Sequence, residues 1–156
     1  MKALATIIYD WPRAVAGCLT WAGPLVARIT VGAVVMDTGW AKLHLLAVVT
    51  KNFATMGIPA PQFFAPFVGC VEFFGGLLVL IGLFTRLTTV PLMIVMAVAV
   101  VLARLGDLRS LEDFLACEEV VYFVMFAWLA IAGPGPVSVD HYVLKASGRD
   151  PAAHGA

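Results

Sequence analysis

Gln62–Phe84 reads QFFAPFVGCVEFFGGLLVLIGLF, an apolar run interrupted by a single charge, Glu72, near its centre. About 20 mainly apolar residues match the thickness of a bilayer's hydrocarbon core at the ~1.5 Å rise of an α-helix. A surface helix of a soluble domain would show a broad polar face, and this stretch has none. It predicts a membrane-spanning helix with one carboxylate close to mid-span.

Three further windows of spanning length flank it. Pro24–Leu46 carries Arg28 and Asp37; Thr88–Leu105 starts near Pro91, which is expected in a first turn where proline is tolerated. Glu112–Ala132 ends at Gly133-Pro134-Gly135-Pro136, a firm helix stop. The links are short: a rigid Gly57-Ile58-Pro59-Ala60-Pro61 turn, a hairpin at Thr85-Arg86-Leu87, and Gly106–Leu111. Short links make neighbouring helices antiparallel. The expected fold is therefore all-α, an integral membrane four-helix bundle of up-down-up-down topology over residues 24–144. Residues 1–23 form an interfacial segment with a short helix, anchored by Trp11 and Trp21. Residues 145–156 form a polar tail, with fraying expected beyond Asp140. Leu43–Met56 either prolongs the first helix or folds back along the interface.

Bulk composition agrees. Of 156 residues, 62% are hydrophobic and 13% charged, against about 45–50% and about 25% in soluble domains. Ten basic and ten acidic residues leave no basic footprint, which excludes nucleic acid as a partner and offers no polybasic tail to anionic lipid. Cys18, Cys70 and Cys117 show no CxxC or metal-like spacing, so they read as small buried hydrophobes rather than a disulfide set. Val15-Ala16-Gly17-Cys18 loosely resembles a lipoprotein box, but Arg13 interrupts the apolar run such a signal needs, so the segment is expected to be retained. With both ends on one side, Lys2, Arg13, Arg86, Lys145 and Arg149 oppose Lys42, Lys51, Arg104 and Arg109. That small excess leans toward cytoplasmic termini in a bacterial inner membrane.

The intramembrane charges carry the functional content, because each costs several kcal/mol unless paired, neutralised or able to snorkel. Arg28 lies about one turn into its helix and is expected to snorkel back to the surface. Asp37, Lys42, Glu72, Arg104, Glu118 and Glu119 all fall in the half of the membrane away from the termini, and on inward rotation they would form one polar pocket. Asp37 and Lys42 are poorly matched on one helix face, which makes Arg104 the better partner for an acid. Adjacent helical residues differ by ~100°, so one of Glu118 and Glu119 points inward and the other toward the interface. Tyr122 is within reach of either. Glu72 is the candidate catalytic residue, as a proton acceptor or a hydrogen-bond partner of a quinone. Gly69 and Gly76 share its face, with Gly75 adjacent, and would let another helix approach closely. Against this stands a plainer reading in which such charges simply pin helices together.

The chain resembles the DoxX family of small four-helix bacterial and archaeal membrane proteins. The resemblance rests on Arg28, Gly32 and Gly39-Trp40-Ala41-Lys42, then Gly57–Pro61, then Val71-Glu72-Phe73-Phe74-Gly75-Gly76-Leu77 running into Gly82-Leu83-Phe84-Thr85-Arg86. It closes with Gly133-Pro134-Gly135 and Ser138-Val139-Asp140. It implies association with quinone-linked enzymes, such as a terminal quinol oxidase or thiosulfate:quinone oxidoreductase, or with thiol and oxidative-stress handling. Asp37 departs from the histidine or neutral residue expected near its position.

No metal site is expected from His44, His141 and His154, which are far apart in sequence, and no nucleophile elbow or phosphate loop is present. The leading expectation is a subunit of a membrane redox system, with a quinone as candidate cofactor and a redox protein or a second copy as candidate partner. The rivals are a non-enzymatic scaffold that docks a soluble protein and a small-solute carrier. The chain is small for a carrier and shows no internal repeat.

Overall fold

A computed structural model describes residues 11–104 and 110–149. All regular structure among them is helical: α1 Trp11–Cys18, α2 Ala22–His44, α3 Leu46–Thr55, α4 Pro61–Ile81 and α5 Thr85–Ala99, which continues as a π-helical segment through Arg104. Then follow α6 Leu111–Ala116, α7 Glu118–Ala132 and α8 Val139–Ala146. Two stretches are each long and apolar enough to cross a membrane, Pro61–Ile81 and Thr85–Leu102. A third joins them if α2 and α3, bent by 94° at their junction, count as one broken span. Arg28, Asp37 and Lys42 dilute the apolar character of α2.

Glycine decides which helices touch. α2 and α4 run side by side at backbone contact, because Gly32 and Gly39 on one meet Gly76 and Phe73 on the other. A Cβ on Gly76 would come within 2.8 Å of the Gly32 carbonyl oxygen, and one on Gly32 within 2.8 Å of the Leu80 nitrogen. No side chain fits between them. Gly75 turns to the other side, against Leu92 of α5. α5 in turn packs on α7, and the core fills with Val31, Val35, Val79, Leu92, Met96, Phe126 and Leu129. α7 and α2 touch only sparsely, which leaves a seam between them.

Several boundaries differ from the sequence expectation. The turn after α4 is Gly82-Leu83-Phe84, with Gly82 and Phe84 in left-handed conformation, and Thr85–Leu87 already forms the first turn of α5. Pro91 consequently sits inside α5 rather than in its first turn. The fourth window is broken at Cys117, whose extended backbone (φ −69°, ψ 120°) separates α6 from α7. This moves Glu118 and Glu119 into the first turn of α7. α6 is started by a capping box between Ser110 and Asp113. The chain beyond Asp140 is helical as far as Ala146, because the Ser138 hydroxyl caps α8 by accepting from the His141 N–H. Leu43–Met56 does not prolong α2: the chain turns sharply at Leu45. Residues 1–10 and 150–156, parts of the expected interfacial segment and tail, lie outside the described residues.

Candidate functional site

Glu72 is the twelfth of the 21 residues of α4, halfway along the helix, and only 2% exposed. Gly39 on the facing helix lets α2 approach so closely that Lys42, one turn further on, reaches across to it. Lys42 Nζ lies 2.5 Å from both Glu72 carboxylate oxygens. An unpaired charge at this depth would be strongly unfavourable, and the pair relieves both members. Lys42 is thus the partner of the buried acid. Spacing along the helices alone favours Arg104, whose side chain lies outside the described residues, because the reach of Lys42 across the glycine contact exists only between two helices.

The pair forms one wall of a cavity of about 230 Å³. Val34, Val35 and Thr38 line it from α2, Met96 and Ala99 from α5, and Glu118, Glu119 and Tyr122 from α7. Five of the predicted pocket residues therefore meet at one place: Lys42, Glu72, Glu118, Glu119 and Tyr122. Both glutamates line the cavity, whereas one had been expected to turn away. The break at Cys117 starts a new helix at Glu118, so the phase of one continuous helix does not fix where the two side chains lie. Glu119 also accepts a hydrogen bond from the Cys117 thiol at 2.9 Å. Asp37 is not among the lining residues and is exposed. It stands ~200° around the helix from the buried Val35, hence on the opposite face. Gly69 and Gly76 support the site from beneath, the former against Leu43 and the Cβ of Lys42.

A second ionic node sits at the other end of α2. Arg28 does not snorkel: it is 1% exposed, because the segment after α7 folds over it. Its Nη2 donates to the Val137 carbonyl, and its guanidinium packs against Gly82, where a Cβ would overlap it. Nearby, the Asp140 carboxylate accepts from the backbone N–H groups of Phe84 (2.8 Å) and Thr85 (3.1 Å), capping the start of α5. The Asp140 N–H in turn donates to the Gly82 carbonyl. Arg28, Gly82, Thr85 and Asp140 stand in the motifs that carried the family resemblance, and their joint role in this node is visible only in three dimensions.

Cys18 is exposed, Cys70 partly buried and Cys117 buried, all three as free thiols, so burial describes only one of them fully. Among the described residues no three His, Cys, Asp or Glu side chains converge as metal ligands would.

The DoxX family model matches residues 23–105, which take in α2 from its second residue through α5, with Lys42 and Glu72. "Uncharacterized membrane protein Rv3486" of Mycobacterium tuberculosis is 34% identical over 150 residues, covering 87% of this chain and 90% of that protein. "Inner membrane protein YqjF" of Escherichia coli is 30% identical over 123 residues, 79% of this chain and 93% of its own. "Putative oxidoreductase CatD" of Bacillus subtilis is 26% identical over 125 residues, 79% and 88% respectively. No solved structure matches the chain.

Proposed function

The chain belongs to the DoxX family of membrane proteins, and on that premise we propose that it is the quinone-handling subunit of a membrane redox system. The observation that carries this reading is Glu72, buried halfway along an apolar helix, paired with a half-buried Lys42 beside a polar cavity shared with α7. A pair that served packing alone would need no cavity beside it.

The chemistry follows from the donor inventory. A lysine ammonium has three N–H donors, and the two Glu72 oxygens engage Lys42 from one side. The remaining N–H, with the Tyr122 phenol, suits the carbonyl oxygens of a quinone head group. Reduction of a quinone to a quinol takes two electrons and two protons. The electrons come from a redox partner protein; the protons pass through Glu72 and the glutamates at the mouth of the cavity, Glu118 and Glu119. The name of the Bacillus subtilis relative, an oxidoreductase, supports this reading. The same reading takes α2, α4, α5 with its π segment, and α7 as four crossings, up-down-up-down. It places both termini on the cytoplasmic side of a bacterial inner membrane, in keeping with the name of the Escherichia coli relative.

Replacing the Glu72 carboxylate by an amide tests this directly. In Glu72→Gln, quinone-linked turnover falls at least about tenfold, a conservative bound below the roughly 10²–10⁴-fold that a positioned proton-transfer group contributes, while the protein still assembles in the membrane. Unchanged turnover in a well-assembled variant would remove the basis of the proposal.

A further inference from the structure

α2 and α7 make little direct contact. Between α2 and α7 runs a cleft of about 720 Å³, lined by Gly23, Val26 and Thr30 on one side and by Val124, Met125 and Trp128 on the other. The polar cavity is lined by the next turns of the same two helices, Val34 and Thr38 opposite Tyr122 and Glu118. Thr30 and Val34 lie one turn apart on the same face of α2, and Tyr122 and Met125 lie one turn apart on the same face of α7. The two spaces therefore follow one another along a single seam. Apart from Thr30, the first offers only apolar side chains and Gly23, and the second carries Lys42, Glu72, Tyr122 and the two glutamates.

Resting on the quinone reading above, we infer that this seam is the lateral entrance to the pocket, and that the apolar cleft holds the prenyl tail of a membrane-soluble quinone whose head occupies the polar cavity. A cleft left empty between two helices forfeits dispersion contacts along its whole lining, so a chain of some kind fills it. Continuity with the polar cavity selects among such chains. A molecule spanning both spaces has a small hydrogen-bonding head joined to a long apolar tail. A water-borne quinone or thiol would have no use for the cleft. The seam also needs no lid, because a ligand already dissolved in the bilayer reaches the cavity by sliding between α2 and α7.

Trp128 lines the cleft and provides the reporter. With Trp11, Trp21 and Trp40 replaced by Phe, the protein in nanodiscs is titrated with a decyl-benzoquinone brominated at the tail end, with its unbrominated twin, and with the tail-less benzoquinone. The bromine is expected to quench Trp128 well beyond the unbrominated compound and to saturate with quinone. Gly23 lines the cleft and has nothing within 4 Å of the position its Cβ would take, so Gly23→Phe adds bulk where there is open space. That variant should weaken decyl-quinone binding at least fivefold and leave the tail-less compound unchanged. If the three quinones compete for one site with equal affinity and bromine adds no quenching, the tail site is wrong and the head-group reading survives. If none of them binds, both fall. Brominated phospholipid that quenches Trp128 and is not displaced by decyl-quinone would make the occupant a structural lipid and overturn the inference.

Discussion

Two cations on α2, one buried and one half-buried, are accommodated in opposite ways. Arg28, near one end, is enclosed on all sides. The Val137 carbonyl takes one of its donors, Gly82 lies against its guanidinium, and Asp140 acts on it from close by. Its Nε and Nη1 have no hydrogen-bond partner in the described structure. Lys42, near the other end, has a full carboxylate partner and remains 31% exposed beside an open cavity. The enclosed node ties the turn between α4 and α5 to the start of α8 around a guanidinium that is 1% exposed. The open node keeps charge, donors and space together. Burial alone therefore does not mark a working site; what separates the two is room for a second molecule.

The sharpest way to break this contrast is to make the open node apolar. Removing one member of a buried pair strands the other, whereas replacing both by apolar residues of similar size is often neutral for stability. In Lys42→Met/Glu72→Leu, quinone-linked turnover should fall about a hundredfold or more, with thermal unfolding in detergent within a few degrees of the parent. A double variant that turns over normally would reduce the open node to another packing device.

The enclosed node should respond in the opposite sense. Gly82 has φ 73°, and a Cβ there would overlap the Arg28 guanidinium and come within 2.7 Å of the Ser138 Cβ. Gly82→Ala should cost at least about 2 kcal/mol, from left-handed strain and displacement of Arg28 together. The loss would show as a lower unfolding midpoint, with turnover per folded molecule unchanged. Asp140→Ala removes the cap on α5 and should cost about 1 kcal/mol, the usual worth of such a cap. If it instead lowered turnover in fully folded protein, the two nodes would be coupled and the division between them wrong.

The sequence revealed the open node far better than the enclosed one, and the reason lies in what each depends on. Glu72 is a lone charge in an apolar run with Gly69 and Gly76 on its face, so depth and close packing both follow from spacing. The side of the glycine contact from which its cation comes does not. Lys42 was named as a pocket residue but not paired with Glu72, because Gly39 becomes informative only once it is known to face Phe73. For Arg28, depth along one helix suggested an easy route to water. The covering segment lies more than a hundred residues later, and the capping of Thr85 by Asp140 spans 55 residues. No periodicity reports a contact of that kind. The break at Cys117 was hidden for a local reason: Phe114–Val124 is apolar enough to read as continuous helix, while the backbone at Cys117 is extended.

Asp37 provides the finest test of the comparison, because depth and residue type placed it in the pocket while helix rotation removes it. Val35, Thr38 and Lys42 turn toward the cavity; Asp37 turns away and lies exposed on the outer face of α2. If the cavity does the chemistry, its carboxylate is dispensable. Asp37→Asn should leave quinone-linked turnover within about twofold and stability within about 0.5 kcal/mol, as for substitutions away from packed or paired groups. Glu118→Gln, which alters a carboxylate that does line the cavity, should lower turnover more than Asp37→Asn does in a side-by-side assay. The reverse order would mean that α2 is rotated in the working protein, and Lys42 would then have to find a different acid.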